Sequence, residues 1–572
     1  MDKIYETLKT RYAENFDKSA PLPEYPRPQF KRDSFISLNG EWDFECGGFK
    51  SKITVPYAPE SLLSGVEKTF SDGDELIYKR IFELPEGFKK ERIILHFGAV
   101  DQVAEIFLNG KAVGRHEGGY HPFSFDVTDF ITGGENELTV KVTDRLDGIF
   151  PYGKQKRKRG GMWYTPISGI WQTVWLESTP PNAIRGIKIT ADTNCAKIEC
   201  DTDSGCLKLT LKETGEVFES VDGKFEISPD TKKLWSPETP FLYYFTLENE
   251  NDKIESYFAL RKIEAKTLNG VPRLTLNGEP YLFNGLLDQG YFPDGIYTPA
   301  SYEAYRDDIL LAKSLGFNML RKHIKIEPLI FYHLCDTLGI AVFQDMVNNS
   351  DYSFIRDTAL PTVGMKRLSD KKLHKNELSR KNFRSAMRET QELLYNSPSV
   401  LYYTIFNEGW GQFLADENYE IAKKTDETRI YDATSGWFIQ SESDVDSHHI
   451  YFKKAKIKEF SRRPVVLSEF GGYSYRKDGH LFGSANYGYS LYKTKEEFES
   501  AVIKLYREEI FPLAEKGISA LVYTQISDIE DETNGFISYD RKFLKLDAEK
   551  FSRVMRELYE ISNSNKTDTV TE

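Results

Sequence analysis

Residues 400–408 read VLYYTIFNE, an apolar and aromatic run that ends in an amide and a carboxylate. A run of this length and composition is typical of a strand that is buried on both faces. Asn407 and Glu408 stand where the chain would leave the core. Because burying an unpaired carboxylate is costly, we expect Glu408 to have a function.

Seven other segments after residue 266 have the same character. They are YLFNGLL (281–287), FNMLRKH (317–323), IAVFQDM (340–346), IYDATSGW (430–437), DVDSHHIYF (444–452), PVVLSEFGG (464–472) and ISALVYTQISD (518–528). Amphipathic segments between most of them predict helices, such as YEAYRDDILLAKSLG (302–316), EPLIFYHLCDTLG (327–339) and KEEFESAVIKLYREEIFPLAEKG (495–517). Eight alternating units predict a (β/α)8 TIM barrel, whose usual size is about 250 residues or more. A doubly wound open sheet is the alternative, but no glycine-rich phosphate-binding turn follows any of the strands.

The chain before the barrel has short strand segments separated by turn residues. From about residue 35 to 180, segments such as GEWDF, LIYKRIFEL and NELTVKVTD predict an antiparallel β-sandwich. A smaller set from about 181 to 265, including CLKLTLKE and FLYYFTLEN, has a length that suits an immunoglobulin-like β-sandwich. The predicted fold class is therefore multidomain, with a first sandwich in residues 1–180, an immunoglobulin-like sandwich in 181–265 and a barrel in 266–572.

Composition narrows the classes of partner. The net charge of -13 and the pI near 5.5 give no basic field, which argues against nucleic acid. The aromatic content of 14% offers flat faces on which a sugar ring can stack. We therefore expect a neutral or small polar ligand, and homo-oligomerisation stays open.

Compartment signals favour the cytoplasm. The start, MDKIYETLKTRYAENF, has no apolar core of a secretory signal, and no apolar stretch reaches the length of a membrane span. The five cysteines are odd in number and have no CxxC spacing, which argues against a disulfide framework or a zinc site.

Functional groups of such a barrel lie at the carboxyl ends of its strands. The polar and aromatic residues at these ends are Asp288, Arg321, His323, Asp345, Asn407, Glu408, Trp437, His449, Tyr451, Glu469, Gln525 and Asp528. Glu408 and Glu469 end strands four and seven, which face each other across the barrel mouth, so their side chains can converge. Retaining glycoside hydrolysis needs this arrangement, with one carboxylic acid as proton donor and one carboxylate as nucleophile about 5 to 5.5 Å apart. A longer gap would leave room for water and predict inversion.

Several motifs together resemble the family-two glycoside hydrolases, the relatives of β-galactosidase, β-glucuronidase and β-mannosidase. They are FNEGW and VVLSEFGG in the barrel, GEWDF and GIWQTVWLE in the first sandwich, and FALRKIE before the barrel. The resemblance covers roughly residues 35 to 560. It implies a jelly-roll-like sugar-binding first domain, and its domain order agrees with the order predicted from periodicity.

The resemblance also implies roles for individual residues. Glu408 would be the general acid/base and Glu469 the nucleophile, while Asn407 would bind the sugar 2-hydroxyl and Tyr451 would hydrogen-bond the nucleophile. Arg321, if it reaches Glu469, would favour the charged carboxylate. Whether Arg321 is a clamp on Glu469 or a substrate ligand stays open.

The other candidates have structural alternatives of similar weight. Of the adjacent pair His448 and His449, only one can face the pocket, and we favour His449. Trp437 is either a stacking platform or a core residue. Asp288, Gln525 and Asp528 are candidate hydroxyl binders, and we predict no metal and no cofactor. The basic run KQKRKRGG (154–161) is either a solvated loop or part of the cleft, which it could reach through Met162, Trp163 and Tyr164.

Two departures from the family pattern bear on the substrate. RKHIKIEP has one residue between Arg321 and His323, where the β-galactosidase and β-glucuronidase branches have two, which puts His323 in doubt as a ligand. Glucuronidases hold the sugar carboxylate with an Asn-x-Lys feature after strand eight, and the corresponding stretch DETNGFISYD has no lysine. A neutral sugar is therefore preferred.

The predicted function is a retaining exo-β-glycosidase acting on a non-reducing terminal neutral sugar, with a β-galactoside as the best single guess. β-Glucuronide, β-mannoside and arabinoside are alternatives for the sugar. A carbohydrate-binding protein without catalysis is the alternative from another class, although the presence of both glutamates argues against it.

Overall fold

The computed structural model describes residues 8–349, 352–365, 368–451, 453–457, 460 and 462–567. The predicted fold class is confirmed, because two β-sandwiches precede a barrel of eight parallel strands. The last residue of the predicted strand DVDSHHIYF and the end of the chain lie outside the described residues.

The first domain is an antiparallel sandwich. Its strands are β1 (Ile36–Ser37), β2 (Gly40–Cys46), β3 (Phe49–Val55), β4 (Glu75–Phe82), β5 (Arg92–Phe97), β6 (Val100–Asp101), β7 (Val103–Leu108), β8 (Lys111–Glu117), β9 (Phe123–Asp126), β10 (Asn136–Thr143), β11 (Gly169–Ile170) and β12 (Val174–Thr179). One sheet has the order β3-β2-β4-β10-β7-β8, and the other has the order β1-β12-β5-β9. Every second residue of β10 is buried, so the period-two pattern of the sequence places its apolar residues between the sheets.

The second domain is a smaller sandwich. Its strands are β13 (Gly186–Ala191), β14 (Ala196–Asp201), β15 (Leu207–Leu211), β16 (Val217–Ser220), β17 (Lys224–Ile227), β18 (Tyr243–Glu248) and β19 (Lys253–Phe258). They form sheets of order β13-β14-β17 and β16-β15-β18-β19 around a core that includes Ile198, Leu209 and Phe245. This is the strand count and layering of an immunoglobulin-like domain.

The barrel begins after a small sheet, β20 (Ile263–Leu268), β21 (Val271–Leu276) and β22 (Glu279–Pro280). The barrel strands are β23 (Phe283–Asp288), β24 (Met319–Lys322), β25 (Ala341–Asp345), β26 (Val400–Asn407), β27 (Ile430–Ser435), β28 (Asp446–Ile450), β29 (Val465–Gly471) and β32 (Ala520–Thr524). Their order is β27-β26-β25-β24-β23-β32-β29-β28, all parallel, and β27 contacts β28, which brings the sheet into a near-closed barrel. A further short pair, β30 (Tyr473–Tyr475) and β31 (Ser490–Tyr492), lies beside it.

Most of the helices pack around the barrel, and the short helix that contains Pro361 lies at its mouth beside Glu408. The helices are α1 (Glu303–Ser314), α2 (Leu329–Leu338), α3 (Leu360–Thr362), α4 (Glu377–Leu394), α5 (Ala415–Thr425), α6 (Lys495–Leu505), α7 (Phe511–Glu515) and α8 (Ala548–Thr567). The segment predicted as one helix over 495–517 is divided by a π-helical turn at Tyr506–Ile510. This wider turn precedes Pro512, which has no N–H to donate to the ladder.

The core of the barrel is asymmetric along its axis. At the amino-terminal end Phe343 stacks on Tyr402 at 4.2 Å, and Leu274 and Leu276 of the small sheet pack against the same cluster. Burying each such leucine contributes about 2 kcal/mol. The apolar residues therefore close the amino-terminal end, and the polar strand ends are left at the carboxyl-terminal mouth.

Candidate active site

Glu408 lies at a sharp turn directly after β26. Its φ of 52° is in the left-handed region, and its N–H donates to the Ser435 carbonyl oxygen at 2.9 Å. Trp410 N–H then donates back to the Asn407 carbonyl oxygen at 2.9 Å. This turn directs the chain away from the barrel wall and leaves the Glu408 side chain at the mouth, partly exposed.

The two predicted catalytic carboxylates converge on one imidazole. His449 Nδ1 lies 2.8 Å from Glu408 Oε1 and 3.6 Å from Glu469 Oε2. One oxygen of each glutamate and one nitrogen of His449 all lie within 4.8 Å of one another. This spacing is close to the separation of about 5 to 5.5 Å that accompanies retention, and it leaves no room for an inverting water between the two carboxylates.

Glu469 is buried and held from both sides. Arg321 Nη1 donates to Oε1 at 3.1 Å, and the Tyr451 hydroxyl donates to Oε2. Burial lowers the pKa of Arg321, but the carboxylates of Asp345 and Glu469 outweigh burial and raise it above its ordinary value. The guanidinium therefore stays charged, and Glu469 has a permanent cation beside it. Arg321 occupies the clamp position that the sequence left open.

Asn407 is fixed at one end and open at the other. Its Oδ1 accepts from Arg321 Nη2 at 2.8 Å, which determines the orientation of the amide. Its Nδ2 is buried and has no hydrogen-bond partner among the described residues. An unpartnered buried donor carries a desolvation cost, so a ligand oxygen at this position would be favourable.

His323 and Trp437 lie at the edge of this group. His323 Nδ1 is 2.6 Å from Asp345 Oδ2, and burial lowers the pKa of His323 to about 3, so the imidazole is neutral. Trp437 donates from Nε1 to the Asp357 carbonyl oxygen at 3.1 Å, and its ring meets His449 edge-on at 5.4 Å. Trp437 also lines the cleft that contains Glu408.

Asp288 and Asp528 each form an ion pair with a lysine. Asp288 accepts from Lys322 Nζ at 2.7 Å and from the Gly290 N–H at 2.9 Å. Asp528 accepts from Lys545 Nζ at 2.5 Å, and burial raises the pKa of Asp528 to about 6. Neither aspartate contacts the two glutamates, so the structure gives no support to their prediction as hydroxyl binders.

Gln525 is also engaged within the protein. It donates to Glu532 Oε2 at 2.7 Å and to Asn534 Oδ1 at 2.8 Å, and it accepts from Gln289 at 2.8 Å. The side chain is fully buried. Its contacts orient Glu532 and Asn534, so the structure favours a supporting position over a direct contact with a sugar.

The loop of the first domain reaches the barrel mouth, which the sequence left undecided. Lys154 is buried, with its Nζ 5.3 Å from the Trp410 ring and 5.6 Å from the Tyr164 ring. Burial lowers the pKa of Lys154, and the nearby charges of Glu532 and Glu469 oppose that shift. Sequence reasoning missed Lys154 and Glu532 as site residues. The basic composition of residues 154–161 and the tryptophan two residues after Glu408 were the available signals.

An aromatic cleft leads to Glu408. Its volume is about 310 Å³, and Met162, Trp437, Tyr451, Tyr487 and Tyr489 line it. Tyr451 stacks on Tyr489 with ring centres 4.0 Å apart. A larger cavity of about 480 Å³, lined in part by Trp163 and Tyr352, lies beside the site and includes neither glutamate.

The site also has the spacing of a metal centre. Within the described residues, Glu408, His449 and Glu469 are the one set of three or more His, Cys, Asp or Glu side chains that could ligate a single ion. The same three groups form the convergent acid pair, so a metal would compete with the hydrogen bonds that already hold Glu469.

A barrel whose opposed strand ends bring two glutamates together, one clamped by arginine and tyrosine, is the arrangement of the retaining glycoside hydrolases. The sequence comparisons agree with this class. Residues 36–180 match the model of the glycosyl hydrolases family 2 sugar-binding domain, and residues 272–536 match the model of the family 2 TIM barrel domain. Together the two models cover more than half of the chain, which belongs to glycosyl hydrolase family 2.

Two of the curated relatives are named β-galactosidases. A β-galactosidase of Thermoanaerobacter pseudethanolicus is 25% identical over 54% of this chain and 44% of its own length. A β-galactosidase of Psychromonas ingrahamii is 26% identical over 75% of this chain and 46% of its own. The chain thus spans about half the length of these curated relatives.

Solved structures show the same fold over their full length. A β-D-glucuronidase of Dictyoglomus thermophilum has a TM-score of 0.74 at 17% identity and covers 93% of this chain and 98% of its own. A β-galacturonidase of Eisenbergiella tayi has a TM-score of 0.67 at 20% identity and covers 92% and 97%. At these identities the likeness concerns the fold.

Proposed function

We propose that this protein is a retaining exo-β-glycosidase that hydrolyses a terminal neutral sugar from its β-glycosides. The observation that carries the proposal is the approach of Glu408 and Glu469 within 4.8 Å, with His449 between them. Glu469 lies beside the charged Arg321, which suits a nucleophile, and Glu408 lies in the aromatic cleft, which suits a proton donor.

In the first step Glu469 attacks the anomeric carbon, while Glu408 gives its proton to the glycosidic oxygen. The bond between that carbon and oxygen breaks, and the aglycone leaves as an alcohol through the cleft. Asn407 Nδ2 is the free donor that would bind the 2-hydroxyl, a contact that strengthens as the transition state forms. The product of this step is a glycosyl ester on Glu469.

In the second step the ionised Glu408 removes a proton from water, and the water oxygen attacks the anomeric carbon. The ester bond to Glu469 breaks, and the sugar leaves with its original anomeric configuration. When Glu469 is esterified, its charge is lost and Glu408 ionises more easily. The Tyr451 hydroxyl then orients the departing carboxylate.

Two observations support an exo mode and a neutral sugar. Lys154 and Tyr164 of the first domain lie next to the site carboxylates, so the first domain borders the site on one side. The stretch 531–540 after the eighth strand has no lysine of the glucuronidase pattern, and its Glu532 is a buried carboxylate that accepts from Gln525. A β-galactoside is the first choice because the curated relatives with the matches above are named β-galactosidases.

A panel of p-nitrophenyl β-glycosides tests the proposal. We expect turnover of the galactoside above that of the glucuronide, mannoside and arabinoside, and proton NMR of the first-formed sugar should show the β-anomer. Release of the α-anomer would refute the retaining mechanism. Absence of turnover on every glycoside, with sugar binding retained, would instead support the alternative of a carbohydrate-binding protein.

A further inference from the structure

Lys154 is held in place from both sides. Gly153 before it has a φ of 70° and packs against the barrel, since a Cβ there would lie 3.0 Å from the Ile324 carbonyl oxygen. Gln155 after it is buried in the first domain, where it donates to Asp101 at 3.2 Å and accepts from the Ile167 N–H at 2.7 Å. The position of Lys154 at the barrel mouth is therefore fixed by the backbone on each side.

The ammonium group of Lys154 contacts two aromatic rings but no hydrogen-bond acceptor among the described residues. The residue is 6% exposed, yet its Nζ forms no hydrogen bond and no ion pair within the described residues. The nearest groups are the rings of Trp410 and Tyr164 and the charges of the site carboxylates. Because a buried ammonium without an acceptor is costly, a ligand oxygen at this point would be stabilising.

Glu532 is a buried carboxylate of the barrel whose charge interacts with that of Lys154. Its Oε2 accepts from Gln525 at 2.7 Å, and Tyr164 and Asn534 donate to its carboxylate as well. The charges of Glu532 and Lys154 interact, but no ion pair joins them. The first domain thus provides a donor and the barrel an acceptor, and the charges of both interact with that of Glu469.

Carboxylates outnumber cations in this group before any ligand enters. Arg321 and Lys154 are two cations among three carboxylates, since Arg321 pairs with Asp345 and Glu469 and the charge of Lys154 interacts with that of Glu532. A sugar carboxylate would bring an additional negative charge next to Glu532. A hydroxyl group can both accept from an ammonium and donate to a carboxylate, so neutral hydroxyls fit this pair.

We infer that Lys154 and Glu532 form a hydroxyl-binding pair for the sugar that is cleaved, and that the first domain thereby completes the catalytic pocket through Lys154. This inference rests on the proposed function. It adds a specificity-determining residue from outside the barrel and predicts that the pocket selects neutral sugars over uronic acids.

The test compares Lys154→Met with the wild type on p-nitrophenyl β-galactoside and its 3-, 4- and 6-deoxy analogues. Methionine keeps an apolar stem against the two rings and removes the charge. We expect kcat/KM for the parent glycoside to fall about 100-fold, as for the loss of a charged hydrogen bond. For one deoxy analogue the wild type and the variant should agree within about two-fold, because the contact is already absent.

Two further variants sharpen the comparison. Glu532→Gln should lower kcat/KM for the parent glycoside. For the deoxy analogue that lacks the hydroxyl bound by Glu532, this variant and the wild type should have equal kcat/KM. Lys158→Met is the matched control, because Lys158 lies exposed in the same loop, and its kcat/KM should equal that of the wild type. Thermal melts of each variant measure whether the fold is intact.

Several outcomes would overturn the inference. An equal loss on the parent and on all deoxy analogues would show that Lys154 only supports the structure. A wild type that prefers the β-glucuronide, with this preference lost in Lys154→Met, would make Lys154 a carboxylate binder. If no glycoside is turned over, the proposed function fails separately, and titration calorimetry with galactose decides the inference, since equal affinity of both proteins refutes it.

Discussion

Two pairs of acidic side chains stand at the same barrel mouth and have opposite surroundings. Glu408 and Glu469 meet at His449, with arginine and tyrosine as the other partners of Glu469. Asp288 and Asp528 each accept a hydrogen bond from a buried lysine. All four residues follow barrel strands, so the strand-end position alone does not separate the two pairs, whereas their partners do.

The largest effect should come from the nucleophile. We expect Glu469→Gln to lower kcat by at least 10⁴-fold, about 5.5 kcal/mol of transition-state stabilisation, because an amide cannot form the glycosyl ester. Asp288→Asn is the matched carboxylate-to-amide change. Steady-state kinetics measures kcat of the two variants. An equal loss of kcat in both would contradict the distinction between Glu469 and Asp288.

The acid/base residue should show a smaller loss that depends on the leaving group. Glu408→Ala should reduce kcat/KM about 10³-fold for substrates with poor leaving groups, or about 4 kcal/mol. With a dinitrophenyl glycoside, azide should restore turnover and give a β-glycosyl azide, because the ester on Glu469 then reacts with the anion. Mass spectrometry and NMR identify the product, and a loss that azide cannot relieve would contradict the role of Glu408.

The structural pair should respond through stability. Lys322→Met removes the cation between Asp288 and Glu327, which both lie within 2.8 Å of its Nζ. Glu327 keeps Lys325 as a partner at 2.9 Å, whereas Asp288 loses its cation. Leaving the buried Asp288 without a cation should cost about 3 kcal/mol, a fall of roughly 6 to 12 °C in the melting temperature. Calorimetry measures the melting temperature, and kinetics at 25 °C shows whether activity per folded molecule is retained. A variant with an unchanged melting temperature and impaired catalysis would show that Lys322 contributes to catalysis and not to stability.

The smallest effect concerns the orientation of the nucleophile. Tyr451→Phe removes the hydroxyl that donates to Glu469 and contacts Thr524 at 2.9 Å. The loss of one hydrogen bond to a carboxylate should lower kcat about 10- to 100-fold, or about 1.4 to 2.7 kcal/mol. The ring still stacks on Tyr489, so the melting temperature should stay close to the wild-type value. Kinetics and a thermal melt measure both quantities. An unchanged kcat would show that Tyr451 does not orient Glu469 for catalysis.

The sequence was sufficient for the eight barrel strands and for the approach of the two glutamates. The strands are buried on both faces and read as continuous apolar runs. The carboxyl ends of all the parallel strands of a closed barrel lie at one mouth. The partners of Asp288 and Asp528 were not predictable in this way. Lys545 reaches Asp528 from the region after the last barrel strand, and Lys322 reaches Asp288 from a neighbouring strand.

The contribution of the first domain to the site could not be predicted from the sequence, for a different reason. Lys154 and Glu532 come together only when the sandwich packs on the barrel, and no periodicity within either domain specifies that contact. The composition of residues 154–161 suggested a solvated loop equally well. Arg159 of this loop pairs with Glu530 at 3.6 Å and Asp531 at 3.4 Å, so opposite charges of the two domains fix the interface.

The most direct test of the account is covalent trapping of the nucleophile. The wild type is incubated with a 2-deoxy-2-fluoro-β-galactosyl fluoride, and the intact mass and the peptide map are measured. We expect a gain of one fluorosugar per chain, attached to Glu469 and absent in Glu469→Gln. A label on any other residue would contradict the convergence of Glu408 and Glu469 on one anomeric carbon, as would consumption of the reagent without a covalent adduct and with release of the α-sugar.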